Sequence, residues 1–70
     1  MKNVINQAKV SEKLKLARLK RGLTVPEVAE ALNVSRQTVY NWEKDASRIQ
    51  LRTFTALSIL YGVKTLYFFT

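Results

Sequence analysis

Two short helical segments joined by about three residues constrain this chain more than any other feature of its sequence. The first begins at a capping box, in which the side chains of Thr24 and Glu27 each bond the other residue's backbone amide. It ends at Asn33, and Ser35 can cap the second segment almost at once. Helices joined so tightly pack at roughly 100° to each other, so the second must project from the body of the protein.

The residues at this junction suit such a crossing. Ala29 is small where the second helix must pass over the first, and Asn33 tolerates the positive φ that the turn requires. Val34, Val39 and Trp42 supply apolar side chains at the inner face. The pattern therefore predicts a protruding helix that is sealed from behind by a small core.

The rest of the chain is predicted to surround this pair with further helices. Residues 1–10 are mostly polar and are interpreted as a flexible basic arm, whereas 11–70 form one folded domain. Ser11 is expected to cap a first helix that Gly22 terminates, and residues 45–50 are expected to form a loop. A fourth helix has its apolar residues at helical spacing, namely Leu51, Phe54, Leu57 and Tyr61.

The composition excludes most enzyme chemistry. The chain has no Cys and no His, so it lacks thiol nucleophiles, zinc-thiolate ligands and the commonest general base. We therefore expect no catalytic residues, no metal site and no cofactor. No stretch approaches the roughly 20 apolar residues of a membrane span, so we expect no membrane partner and a cytoplasmic location in a bacterial or phage-infected cell.

Positive charge is abundant and unevenly distributed. The chain has 12 Lys and Arg against 5 Asp and Glu, a net charge of +7. Seven of the cations and one anion, Glu12, lie in residues 1–22. Such an excess is typical of proteins that bind nucleic acid or another acidic surface.

A series of motif residues runs through positions 14–69. In order they are Arg18, Gly22-Leu23-Thr24, Ala29, Asn33-Val34-Ser35, Val39, Trp42-Glu43, and Phe54, Leu57, Ser58 and Tyr61-Gly62-Val63. This series resembles the Cro/repressor-type helix-turn-helix family of phage repressors and bacterial regulators. The resemblance implies an all-α, compact five-helix lambda-repressor-like domain, with the helix-turn-helix at helices 2 and 3. It also implies a sequence-specific transcriptional regulator, a small Cro-like repressor that binds operator DNA as a homodimer.

Three residues depart from the family pattern. Val25 stands where the family often has a Gln that contacts phosphate, which removes that contact. Asn33 and Asp45 stand where glycines are usual, and both residue types tolerate left-handed backbone.

The resemblance assigns the DNA contacts to the predicted protruding helix and its surroundings. Arg and amide side chains match the hydrogen-bonding edges of guanine and adenine in the major groove. The expected base-reading residues are Arg36, Gln37, Tyr40 and Asn41, although a solvated polar face is the alternative. The expected phosphate contacts are Thr24, Ser35, Thr38, Lys44, Arg48 and Arg52.

Other cations receive different roles. The family commonly pairs the positions of Arg18 and Glu43 in a structural salt bridge, so neither is expected to contact DNA. Lys13, Lys15 and Lys20 are expected to contribute only to the general electrostatic field.

The C-terminal residues carry more aromatic rings than so small a core needs. We predict a protein interface at Tyr61, Tyr67 and Phe69, while closure of the core by a fifth helix is the alternative. This interface would serve a homodimer on DNA. A rival hypothesis is a modulator that binds a partner repressor in a lysogeny switch through the same aromatic residues.

Overall fold

The computed structural model describes residues 7–70, and every regular element within them is helical. The α-helices are α1 (Gln7–Lys20), α2 (Val25–Leu32), α3 (Arg36–Lys44) and α4 (Leu51–Tyr61). Two short 3₁₀ segments follow α3 and α4, at Ala46–Arg48 and Thr65–Phe69. The all-helical prediction is confirmed, but the described residues hold four α-helices, because the expected fifth is a 3₁₀ segment. No helix in this part of the chain is both long and apolar enough to cross a membrane.

The first helix begins earlier than predicted. It starts at Gln7, and both Val10 and Ser11 are buried inside it, so the prediction that Ser11 caps this helix is wrong. The reason is that Val10 lies one turn before Leu14, and the two side chains enter the core together. Residues 7–10 of the predicted arm are therefore helical, and residues 1–6 lie outside the described part of the chain.

The core forms where α1, α2, α3 and α4 meet the C-terminal 3₁₀ segment. Phe54 of α4 lies at the centre of an aromatic cluster, with its ring centroid 5.8 Å from Phe68 and 4.9 Å from Phe69. The fully enclosed side chains include Leu14, Leu57 and Phe68, and Trp42 packs against this core while remaining half-buried.

The tight junction between α2 and α3 follows from local hydrogen bonds. The capping box is present: Glu27 N donates to Thr24 Oγ1 at 3.3 Å, and Thr24 N donates to Glu27 Oε1 at 2.8 Å. Asn33 ends α2 in the left-handed region with φ 56°, and its amide and that of Val34 donate back to α2 carbonyls. Ser35 then caps α3 by accepting from Thr38 N at 3.0 Å.

Asp45 ends α3 in an unexpected conformation. Its φ of −151° is extended, not left-handed. The expectation that Asp45 replaces a glycine in left-handed backbone is therefore wrong. Its carboxylate instead accepts from Ser47 N at 3.0 Å, which lowers the pKa of Asp45 and caps the first 3₁₀ segment. The predicted loop at 45–50 therefore contains one ordered 3₁₀ turn at Ala46–Arg48.

The C-terminal aromatic residues are more buried than the predicted interface requires. Tyr61 is 4% exposed and belongs to the core, so its assignment to a protein interface is wrong. Burial and the nearby Glu43 raise the pKa of the Tyr61 hydroxyl far above its usual range. Tyr67 and Phe69 are half-buried and pack on the core, while Leu66, which precedes Tyr67, is 68% exposed.

An almost fully buried ion pair joins α1 to α3. Arg18 Nε donates to Glu43 Oε2 at 2.7 Å and Nη2 donates to Oε1 at 3.1 Å. The remaining terminal nitrogen, Nη1, donates to the Leu23 carbonyl at 2.9 Å. The hydrogen bond with Glu43 raises the pKa of Arg18 above its usual value, although burial opposes this. The expected salt bridge is thus present, and it fixes α3 against α1 and against the turn that precedes α2.

Replacing Asn33 tests the left-handed turn between α2 and α3. Asn33→Ala should lower the free energy of unfolding by about 1 kcal/mol, because a Cβ without a compensating polar group is strained at this φ. Asn33→Gly is the control and should preserve stability. Equal urea midpoints for Asn33→Ala and the parent chain would contradict this explanation of the turn.

Replacing Glu43 tests the ion pair. Glu43→Ala should lower the free energy of unfolding by about 3 kcal/mol, because the Arg18 guanidinium would stay buried without its carboxylate. Glu30→Ala removes an exposed carboxylate from α2 and should change stability by less than about 0.5 kcal/mol. Urea denaturation measures the free energy of unfolding of both variants. An equal decrease for Glu43→Ala and Glu30→Ala would show that the ion pair does not stabilise the domain.

Candidate nucleic-acid interface

Helix α3 is anchored along one side and open to solvent along the other. Val39 is completely buried, Trp42 packs against the core, and Glu43 is held by Arg18. The opposite side of the helix presents Gln37 and Asn41, both of which are exposed. The helix therefore forms a polar ridge on the surface of the domain.

Three of the four predicted base-reading residues lie together on this ridge. Gln37 Nε2 donates to Asn41 Oδ1 at 3.0 Å, which orders both amides one turn apart. Tyr40 stands beside them with 55% of its surface exposed. Each amide retains hydrogen-bonding groups beyond this contact, so the pair still offers both donors and acceptors to a ligand.

Arg36, the fourth predicted base reader, directly precedes Gln37 and lies one turn before Tyr40 on α3. It is exposed at the first turn of α3, but it lines a groove with α2 residues that include Pro26, Glu27 and Glu30. Arg36 therefore shares this groove with two acidic residues, Glu27 and Glu30. The structure thus places Arg36 at the beginning of the ridge, where it also borders α2.

A groove separates the ridge from α1. Its lining includes Gln37, Tyr40 and Asn41 from the ridge, Lys44 from the end of α3, and Lys15 from α1. Arg18 and Glu43 also line it, but they neutralise each other. We call this the α1 groove.

A second groove lies on the other side of the ridge. Thr38, Lys44 and Arg48 line it together with Asn41 and Asp45. We call this the loop groove, because Arg48 comes from the 3₁₀ turn that follows α3. Three of the predicted phosphate contacts are thus gathered here.

Arg52 is not part of either groove. Its Nε donates to Gln50 Oε1 at 2.9 Å, and it lines a separate apolar depression with Leu32, Val34 and Trp42. The structure therefore does not bring Arg52 together with Lys44 and Arg48.

The two predicted phosphate contacts at helix caps differ in the donors they retain. Thr24 donates its amide to Glu27 Oε1 and its hydroxyl to the same oxygen at 3.1 Å, so its donors are already used. These bonds lower the pKa of Glu27, which keeps a negative charge at the start of α2. Ser35 and Thr38 share one hydrogen bond of 2.8 Å between their hydroxyls, which leaves one hydroxyl proton for another acceptor.

Sequence reasoning missed Lys15. It was expected to contribute only to the general field, yet it lines the α1 groove beside the ridge. The signal available in the sequence was its spacing, since Lys15 precedes Arg18 by three residues and so lies on nearly the same side of α1. By contrast, Lys13 donates to the Tyr67 carbonyl at 3.3 Å and lies over the Tyr67 ring at the C-terminal end of the domain.

Comparison with known proteins agrees with this geometry. The model of the helix-turn-helix family matches residues 14–68, which include α2, α3 and the turn between them. The chain is also 40% identical over 58 residues to the HTH-type transcriptional regulator ImmR of Bacillus subtilis (strain 168). That alignment covers 83% of this chain and 46% of ImmR, so the chain spans about half the length of its relative. The matched segment and the observed geometry together place the chain in the Cro/repressor-type helix-turn-helix family.

Proposed function

We propose that this chain is a sequence-specific DNA-binding transcriptional regulator, a small Cro-like repressor that inserts α3 into the major groove of its operator. The observation that carries the proposal is the polar ridge of α3, bordered by cations in a groove on each side. An α-helix fits the major groove, and the phosphate backbones lie on both sides of that groove.

Base reading is assigned to the exposed side chains of α3. The carboxamides of Gln37 and Asn41 suit the adjacent acceptor and donor of adenine, and the guanidinium of Arg36 suits the two acceptors of guanine. Contact with a thymine methyl group or a phosphate is assigned to Tyr40, which is 55% exposed. The hydrogen bond from Gln37 to Asn41 supports this role, because it orders both amides before DNA is bound.

Phosphate contacts are assigned to the residues that border the ridge. Lys44 and Arg48 carry exposed positive charges in the loop groove, and Ser35 and Thr38 offer a hydroxyl proton at the amino-terminal end of α3. Arg52 lies farther from the ridge and would serve only if the duplex extends past Trp42. Thr24 would have to release Glu27 before it could donate to phosphate.

The family and the relative favour regulation over catalysis. The relative is named a transcriptional regulator, and the family model covers the part of this chain that bears the ridge. Within the described residues, no group of three or more acidic, His or Cys side chains could hold a metal ion. Repression would follow directly from binding, because an occupied operator blocks access of the polymerase.

Selection of bound sites from random duplexes tests the proposal. Arg36→Ala should relax the preference at one base pair and weaken binding to the selected site by about 1–3 kcal/mol. Lys44→Ala is the matched control, because a phosphate contact should weaken all duplexes alike. If Arg36→Ala and Lys44→Ala change the preference in the same way, or not at all, the assignment of base reading to Arg36 is wrong.

We also propose that two copies bind together on an operator with two half-sites. The support comes from apolar side chains that the fold leaves exposed on one side of α4 and in the C-terminal segment. Leu51 and Ile59 lie two turns apart on α4 and are 70% and 75% exposed, and Leu66 is similarly accessible. These side chains, together with the half-buried Tyr67 and Phe69, replace the interface predicted around Tyr61.

The same exposed side chains are also compatible with the rival hypothesis, a modulator that binds a partner repressor. A partner repressor bound through Leu66, Tyr67 and Phe69 would also cover them, and the chain would then act as a modulator. Protein binding that is tight while duplex binding is weak would favour this alternative.

Replacing the exposed apolar residues tests whether they form a dimer interface. Ile59→Ser and Leu66→Ser should each reduce self-association in sedimentation velocity and should abolish cooperative binding to a duplex with two half-sites. Leu19→Ser is the control, since Leu19 is also exposed but lies on α1. If all three variants behave alike, these side chains do not form the dimer interface.

A further inference from the structure

Two of the N-terminal cations, Lys15 and Arg18, line the α1 groove, and Arg18 is paired with Glu43. Lys15 shares the α1 groove with Gln37, Tyr40 and Asn41, and Lys44 closes the same groove at the end of α3. Lys15 is exposed and has no ion-pair partner in the described part of the chain. Its ammonium group is therefore available to an anion bound in this groove.

Lys15 and Lys44 are the two charged residues of the α1 groove that have no oppositely charged partner in its lining. Arg18 is occupied by Glu43 and by the Leu23 carbonyl through all three of its nitrogens. The only carboxylate in the lining is that of Glu43, whose charge this pairing neutralises. The groove thus carries two net positive charges beside the polar ridge.

We propose that Lys15 and Lys44, which line the α1 groove together with Tyr40, bind a backbone phosphate of the DNA strand that lies along the α1 side of α3. This proposal rests on the proposed function and adds one residue, Lys15, and a direction of docking to it. Arg48 lies on the opposite side of the ridge in the loop groove. The duplex would then be held by cations on both of its strands while α3 occupies the groove between them.

The positions of the lysines on α1 favour a direct phosphate contact by Lys15 over a general electrostatic attraction. Lys15 and Lys20 carry the same charge on the same helix, but they are five positions apart and face different directions. Lys20 is not among the residues that line the α1 groove or the loop groove, whereas Lys15 lines the α1 groove. A field effect would make the two lysines equivalent, and a phosphate contact would not.

The experiment compares Lys15→Gln with Lys20→Gln on the full chain. The probe is a fluorescein-labelled 20-base-pair duplex of random sequence, titrated at several NaCl concentrations between about 50 and 200 mM. Loss of one phosphate contact lowers the slope of log K against log salt by about 0.9. Lys15→Gln should show this change and weaken binding about three- to ten-fold, as should Lys44→Gln.

Three outcomes decide the proposal. A normal slope for Lys20→Gln and for Lys15→Arg, with a reduced slope for Lys15→Gln, supports it. Equal slopes for Lys15→Gln and Lys20→Gln overturn it and leave the proposed function intact, provided that the parent chain has a steep slope. A parent chain that does not bind the duplex overturns both. Thermal unfolding of each variant should match the parent, since all of the replaced side chains are exposed.

Discussion

The guanidinium of Arg18 is the contact on which the position of α3 depends. Its three nitrogens reach the two carboxylate oxygens of Glu43 and the carbonyl of Leu23, so one side chain joins α1, the turn before α2 and the second half of α3. Both partners of the pair are more than 90% buried, which makes the loss of either one costly. A planar, bidentate contact also fixes orientation, so α3 cannot rotate about its own axis without breaking it.

This constraint determines which side chains reach solvent. With Glu43 and Val39 turned inward, the helical repeat of α3 places Gln37 and Asn41 on the opposite side. The same contact removes Arg18 from the set of cations that are available to a ligand. The buried side of α3 thus carries the ion pair that fixes the helix, and its exposed side carries the two amides to which the proposed function assigns base reading.

Local rules were enough to predict the junction between α2 and α3, but they failed at the ends of the chain. The capping box, the left-handed Asn33 and the Ser35 cap each depend on residues within four positions, so the sequence identifies them directly. The start of α1 depends instead on the core that receives Val10, and the exposure of the C-terminal rings depends on Phe54. Such long-range packing leaves no local pattern, which is why Tyr61 was misassigned while Arg18 and Glu43 were recognised through the family motif.

For the candidate site, too, the sequence predicts the amount of positive charge but not its position. The sequence indicates that the excess of cations lies in residues 1–22, but it does not indicate where these cations lie relative to α3. In the structure Lys13 contacts Tyr67 of the C-terminal 3₁₀ segment, and Lys15 lines the α1 groove beside the ridge. Lys20 lines neither the α1 groove nor the loop groove. Net charge attracts a polyanion from any direction, whereas contacts on both sides of a reading helix fix its register on the duplex. Under the proposed function, a single lysine beside the ridge would therefore contribute more to orientation than its share of the total charge.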